Sequence, residues 1–252
     1  MSRGEALRRR LGEPPASVGL WAAVPSTVTA QAAALAGADY VVVDEQHGVV
    51  GPTELLAMLA AIEMSGAAPL VRVARNEPWT IGRALDLGAH GVIVPLVNDA
   101  DEAAATVAAC RYAPAGVRSW GVVRGEPDPA PLCLVMVETR SALDNLHSIA
   151  RTPGLDGLYV GPSDLALGLN LQPTGVIEHR EVLEAIGEVR AACGREGRIA
   201  GVHCLSVDDA ARFVRDGVEM VTAGSDVVHL RRALANAIAT ARGEPRGGQA
   251  PS

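Results

Sequence analysis

The sequence contains no lysine: all 22 of its Lys+Arg residues are arginine. Imine formation needs a side-chain amine, so a Schiff-base mechanism is excluded. A phosphate loop built on Gly-Lys-Ser/Thr is excluded with it. Chemistry beside a carbonyl is then left to a metal or to donors aimed at a developing oxyanion. No apolar run reaches the roughly 18 residues that a membrane helix requires. Arg8-Arg9-Arg10 is followed by no apolar segment, so no secretory signal is expected. Cys110, Cys133, Cys193 and Cys204 lack metal-ligand spacing and read as small buried residues of a cytoplasmic protein without disulfides. No Gly-x-Gly-x-x-Gly run opens the first helix, which argues against a dinucleotide site. The net charge of −7 argues against a nucleic-acid partner.

What is present is a regular alternation of short apolar runs and helical segments, the pattern of a parallel α/β protein. The strands are expected at 18–24, 40–43, 69–73, 92–97, 132–137, 157–160, 199–203 and 219–223. Helices follow at 27–36, 52–64, 78–87, 99–112, 141–150, 179–196, 208–215 and 227–241, with irregular chain at 113–131 and 165–176. Eight strands and eight helices favour a closed (β/α)8 TIM barrel over an open doubly wound sheet. At 252 residues and 48% hydrophobic, the chain suits one barrel domain over residues 1–242. A Pro/Gly-rich tail at 243–252 is expected to be disordered.

In such a barrel the chemistry sits at the C-terminal strand ends. There the sequence places Asp44 and His47 after strand 2, Arg72 on strand 3, Glu138 after strand 5 and Asp164 after strand 6. Strand 7 ends in His203 and strand 8 in Ser225-Asp226. Two carboxylates closing successive parallel strands face one mouth, where a hard divalent cation finds oxygen ligands. Each residue also has a plain reading. Glu138 and Asp164 could cap the helices behind them, His47 could be a loop histidine, and Arg72 could pair within the sheet. Asp226 is read as a cap for the last helix, His203 is open to either role, and His90, His147, His179 and His229 are read as incidental.

Lined up in order, the segments resemble the HpcH/HpaI family of metal-dependent class II pyruvate aldolases, within the pyruvate-kinase/PEP superfamily. The matching stretches are Gly19-Leu20-Trp21, Asp39 to His47, Pro69 to Val73 and Arg83 to Pro95. Gly116-Val117-Arg118, Val137 to Arg140, Gly161-Pro162-Ser163-Asp164-Leu165 and Gly224-Ser225-Asp226 complete them. The resemblance implies a divalent cation, Mg2+ or Mn2+ with Co2+ also admissible, held by Glu138 and Asp164. It implies that the amides of Ser163 and Asp164, in the Gly161-Pro162 turn, hold a pyruvate carboxylate, with Trp21 against the substrate. Arg72 would stabilise the enolate oxygen, and His47 would be the acid/base, its basicity raised by Asp86, which in the family can come from a neighbouring subunit. It further implies homohexamers, trimers of dimers, with the last helix exchanged. Two positions depart from the family: Gln46 stands where a glutamate often precedes the histidine, and Met136 where a glutamine contacts substrate.

The implied activity is reversible cleavage of a 4-hydroxy-2-oxo acid to pyruvate and an aldehyde through a metal-stabilised enolate. A histidine suits the proton transfer because imidazole changes charge near working pH. Two other readings compete. One is a lyase for acyl-CoA thioesters, of the citrate-lyase β-subunit type, with Arg118 and Arg124 toward the CoA phosphates. The other is a non-catalytic barrel that only binds an oxo acid.

Overall fold

The computed structural model describes residues 2–244. Eight parallel strands close into a barrel in chain order. They are β1 (Ser17–Ala22), β2 (Tyr40–Asp44), β3 (Ala68–Arg72), β4 (Gly91–Val94), β5 (Leu132–Val137), β6 (Gly157–Val160), β7 (Ile199–Cys204) and β8 (Met220–Ser225). The fold class is therefore the one the alternation predicts.

Strands of this kind are buried on both faces, which is why runs such as Val41-Val42-Val43 carry no polar alternation. Their period of two still sorts the side chains. Val41, Val43, Val71, Val92, Val135 and Leu158 face the surrounding helices. Tyr40, Val42, Leu70, Ile93, Met136 and Tyr159 fill the barrel interior. The two tyrosines fit because the neighbouring strand offers no side chain. A Cβ on Gly19 would stand 2.3 Å from the Tyr40 ring, and one on Gly201 would stand 2.3 Å from the Tyr159 ring. Continued to the strand ends, the inward parity carries Asp44, Arg72, Glu138 and His203 to the C-terminal mouth.

The helices are α1 (Arg3–Gly12), α2 (Thr27–Leu35), α3 (Pro52–Met64), α4 (Pro78–Asp86), α5 (Ala100–Cys110), α6 (Arg140–Asp144), α7 (Leu146–Ala150), α8 (Pro162–Gly168), α9 (Arg180–Glu196), α10 (Val207–Arg215) and α11 (Asp226–Ala241). Ser26, Asp99, Thr139, Ser206 and Ser225 cap helix N-termini with side-chain oxygens.

Three helical features differ from the sequence expectation. The segment before β1 forms α1, opened by a reciprocal Ser2/Glu5 capping box. Leu7 and Leu11 of α1 enter the interior core and close the barrel floor. Arg8 anchors the helix through Asp156 at 2.5 Å and the carbonyls of Ala130 and Pro131. The helix expected at 141–150 is divided at Asn145, whose side chain donates to the Asn98 carbonyl at 3.0 Å. The stretch after β6 is not irregular at first: Pro162, tolerated in a first turn, opens the short helix α8. Most of the expected tail, residues 245–252, lies outside the described residues.

Candidate active site

The C-terminal mouth is built around one buried ion pair and one buried acid without a full set of partners. Asp44 ends β2 and Arg72 ends β3, and the two are register neighbours. The guanidinium donates Nε to Asp44 Oδ1 at 2.8 Å and Nη2 to Oδ2 at 2.7 Å. Asp44 Oδ1 also accepts the amides of Gln46 and His47 at 3.0 and 3.3 Å, which shapes the loop that carries His47. Burial pushes the Asp44 carboxyl upward, but the hydrogen bonds and charge of Arg72 outweigh it and hold the group below the usual carboxylate range. Arg72 also lies over the Trp21 ring at 4.9 Å, so its direction is fixed from two sides.

Glu138 follows β5 and is 1% exposed. Its Oε1 accepts the Leu96 amide at 2.7 Å. Leu96 reaches that position with φ +55°, a left-handed conformation uncommon for a leucine. Oε2 is buried and has no hydrogen-bond partner. Burial pushes the carboxyl up to about 7; the Leu96 amide and Arg72 oppose the rise, and the Asp164 charge adds to it. Gly161 makes room for this oxygen, since a Cβ there would stand 2.6 Å from Oε2 and 2.9 Å from Met136 Cε. Asp164 sits in the first turn of α8, whose N-cap is Gly161. The amides of Ser163 and Asp164 belong to that turn and have no acceptor among the described residues.

An isolated buried carboxylate costs several kcal/mol unless something compensates it. A second acid beside it makes the cost larger. An oxygen-only pair with a free buried lone-pair site is the donor chemistry that a hard divalent cation takes, with water or substrate completing the shell. Glu138 and Asp164 thus fit such an ion. Among the described residues no group of three or more His, Cys, Asp or Glu side chains forms a fuller cage.

The structure brings Trp21, Arg72, Glu138, Gly161, Pro162, Ser163 and Asp164 to this mouth, with exposed His47 on the loop beside it. Asp86 is not brought there. It is the last residue of α4, at the opposite end of the barrel, and Arg118 donates to its Oδ1 at 2.8 Å. The expectation that Asp86 raises the basicity of His47 therefore fails within one chain, because a helix following a strand returns to the floor. Asp226 is not the cap of α11; Ser225 is. Asp226 instead accepts the amides of Ala23 and Val24 at 3.0 and 3.2 Å, joining β8 to the loop after β1. Of the two departures, Gln46 has a buried Oε1 without a partner, and Met136 is 1% exposed in the interior core. The Asp44 partnership of Arg72 is open to inference from sequence, since both residues end adjacent strands on the inward parity. The Leu96 contact is not, because nothing in Pro95-Leu96-Val97 signals a left-handed residue.

An eight-stranded parallel barrel with a charged cluster at its C-terminal rim defines a TIM-barrel enzyme scaffold. Residues 17–233 match the family model for HpcH/HpaI aldolase/citrate lyase, and the chain belongs to that family. It is 38% identical over 238 residues to a hydroxypyruvate/pyruvate aldolase of Rhizorhabdus wittichii, covering 90% of this chain and 94% of that one. A 5-keto-4-deoxy-D-glucarate aldolase of Klebsiella pneumoniae is 36% identical over 228 residues, 86% of this chain and 88% of its own. A crystal structure of an HpcH/HpaI aldolase/citrate lyase family protein from Burkholderia cenocepacia superposes with a TM-score of 0.86 at 31% identity, over 94% of this chain and 99% of that one.

Proposed function

We propose that this chain is a class II aldolase that reversibly cleaves a 4-hydroxy-2-oxo acid to pyruvate and an aldehyde. The observation that carries the reading is the buried Glu138 Oε2, without a hydrogen-bond partner and close to Asp164. Glu138 and Asp164 would hold a divalent cation, Mg2+ or Mn2+, which would supply Lewis acidity to the oxo acid. The unpaired first-turn amides of Ser163 and Asp164 orient the carboxylate. Arg72, held rigid by Asp44, gives a fixed positive partner to charge gathering on the 2-oxo oxygen. Trp21 walls the same side.

His47 accepts the proton of the C4 hydroxyl. The O–H electron pair becomes the aldehyde carbonyl, the C3–C4 bond breaks, and its pair forms the C2–C3 double bond of the enolate. A proton returned to C3 gives pyruvate. In the opposite direction the same steps are an aldol addition. The arginines that an acyl-CoA reading would use are committed elsewhere: Arg118 pairs with Asp86, and Arg124 with Glu63.

The exposed face of α11 supports a reading of assembly. It has no buried residue, yet Leu230, Leu234 and Ile238 repeat every four positions and are 50–55% exposed. A second copy covering this stripe, in a homohexamer with exchanged last helices, is the arrangement we propose. It is also the arrangement in which Asp86 of one subunit would meet His47 of another. The test of the activity is direct. EDTA should abolish pyruvate formation from hydroxy-oxo acids, added Mg2+ or Mn2+ should restore it, and His47→Ala should cut turnover at least about 100-fold. Full activity in metal-stripped protein refutes the reading.

A further inference from the structure

The Gly224-Ser225-Asp226 turn after β8 holds an acid that the reaction above leaves unused. Asp226 opens α11, and its carboxylate reaches across to the loop after β1. Oδ1 accepts the Ala23 amide at 3.0 Å and the Val227 amide at 2.8 Å. Oδ2 accepts the Val24 amide at 3.2 Å and lies 3.2 Å from the Thr29 hydroxyl. The peptide gripped in this way is a junction. Ala23 stands two residues beyond Trp21, and its carbonyl accepts the Val49 amide at 3.4 Å, from the loop that carries His47. Gly48 permits that approach, since a Cβ there would stand 3.1 Å from the Ala23 oxygen. Trp21 is itself the register neighbour of Ser225, and Arg72 lies over its ring.

Beyond its first turn α11 has little hold on its own barrel. None of its 16 residues is buried, whereas α10, with 9, buries Asp209, Ala210 and Phe213. The root, by contrast, is clamped. Besides the Asp226 contacts, Ser225 Oγ accepts the Val228 amide at 3.5 Å, and His229 Nε2 donates to the Ala223 carbonyl at 2.5 Å. A helix is stiff over this length, so a direction set at the root is carried to Leu234, about 12 Å further along. The link works both ways. Whatever holds the exposed Leu230, Leu234 and Ile238 stripe also steadies Asp226, and through Ala23 it steadies the Trp21 wall and the His47 loop.

We infer that Asp226 is the positioning residue that joins assembly to the active site: a second copy seated on α11 holds the substrate wall and the His47 loop in place through the Asp226 carboxylate and the Ala23 peptide. This rests on the aldolase and assembly readings above. The hydrogen bonds matter here, and not the charge. Asp226→Asn keeps the Ala23 and Val227 contacts through its carbonyl oxygen. Its amide can donate to the Thr29 oxygen, because the Thr29 proton has a second acceptor in the Ser26 carbonyl at 3.2 Å. Only the Val24 contact is lost, whereas Asp226→Ala loses all four.

The probe is pyruvate alone, with kcat/KM read from exchange of its methyl protons by the Mg2+-loaded full chain. Asp226→Ala should lower kcat/KM at least about tenfold, the scale of amides left without an acceptor, and Asp226→Asn should stay within about threefold of wild type. Leu234→Glu places an unpaired charge in the contact between copies and should split the assembly, read by sedimentation, while the barrel stays intact. In the split protein the amides of residues 22–24 should exchange with deuterated water at least about tenfold faster, read by mass spectrometry, and those of β2 at the wild-type rate. Loss of a residue contributed by the neighbour would slow the reaction without loosening Ala23, so amide exchange tells the two apart. Split Leu234→Glu protein with unchanged exchange at 22–24 overturns the inference. So does wild-type kcat/KM in Asp226→Ala, or Asp226→Asn as impaired as Asp226→Ala. Should Asp226→Ala fail to fold, Leu234→Glu decides alone. The underlying readings fail differently: a wild-type subunit number in Leu234→Glu sinks the assembly reading, and absent methyl exchange in wild type sinks the aldolase reading, each taking this inference with it.

Discussion

Replacing Glu138 by glutamine should make the metal-free protein more stable, and more so as the pH rises. A carboxyl held at about 7 in the fold, against an ordinary 4.5, favours the protonated state of the native protein. The stability it lends is fully present below pH 4.5 and is lost as the pH climbs through 7, after which no more is lost. At about 1.4 kcal/mol per pH unit between those two values, the loss totals roughly 3 kcal/mol. Glu138→Gln keeps the Leu96 contact to its carbonyl oxygen but has no proton to lose. Urea unfolding of metal-free wild type and variant, at fixed protein concentration from pH 5 to pH 8.5, should show the variant's advantage growing by about 2 to 3 kcal/mol. The difference between the two proteins matters, since other titrating groups cancel in it. Saturating Mg2+ should reverse the order at pH 8.5, because only wild type gains binding energy. Parallel pH profiles for the two proteins would show that Glu138 is not the strained acid described above.

Three other outcomes follow from single contacts. Gly161→Ala should weaken Mg2+ binding at least about tenfold in calorimetry with the fold intact, because its Cβ would stand 2.6 Å from Glu138 Oε2 while φ of −98° suits any residue. Arg72→Lys keeps the charge but loses the fork that grips both Asp44 oxygens, and kcat/KM should drop at least about tenfold. Leu11→Ala, at a site 1% exposed in the barrel floor, should cost about 2–5 kcal/mol in urea unfolding and leave KM for the oxo acid unchanged.

Much of this is legible in the residues because a barrel strand obeys a short rule. Once Tyr40, Val42 and Asp44 share a face, the position of Arg72 opposite Asp44 follows from parallel pairing. The acids behind β5 and β6 are found the same way. What stays hidden depends on contacts between distant segments. Arg118, in the irregular chain before β5, reads from sequence as a candidate ligand for phosphates, but its guanidinium turns to Asp86 on the floor. The Ser2-x-x-Glu5 box and the Leu7/Leu11 pair are plain in the sequence, yet only the open barrel floor gives them a place to pack. His203 stays ambiguous in one dimension because its contact with Thr222 joins residues that are close in register but 19 residues apart in sequence.

The plug formed by α1 also decides how this protein can be handled. Ser2 precedes a helix whose leucines stopper the underside, so any tag or tether joined ahead of it departs from the side opposite the catalytic opening. Anchored to a bead by that end, the enzyme would present its entrance to the passing solution, whereas a tether after α11 would leave from the helix that carries the exposed Leu230, Leu234 and Ile238 stripe.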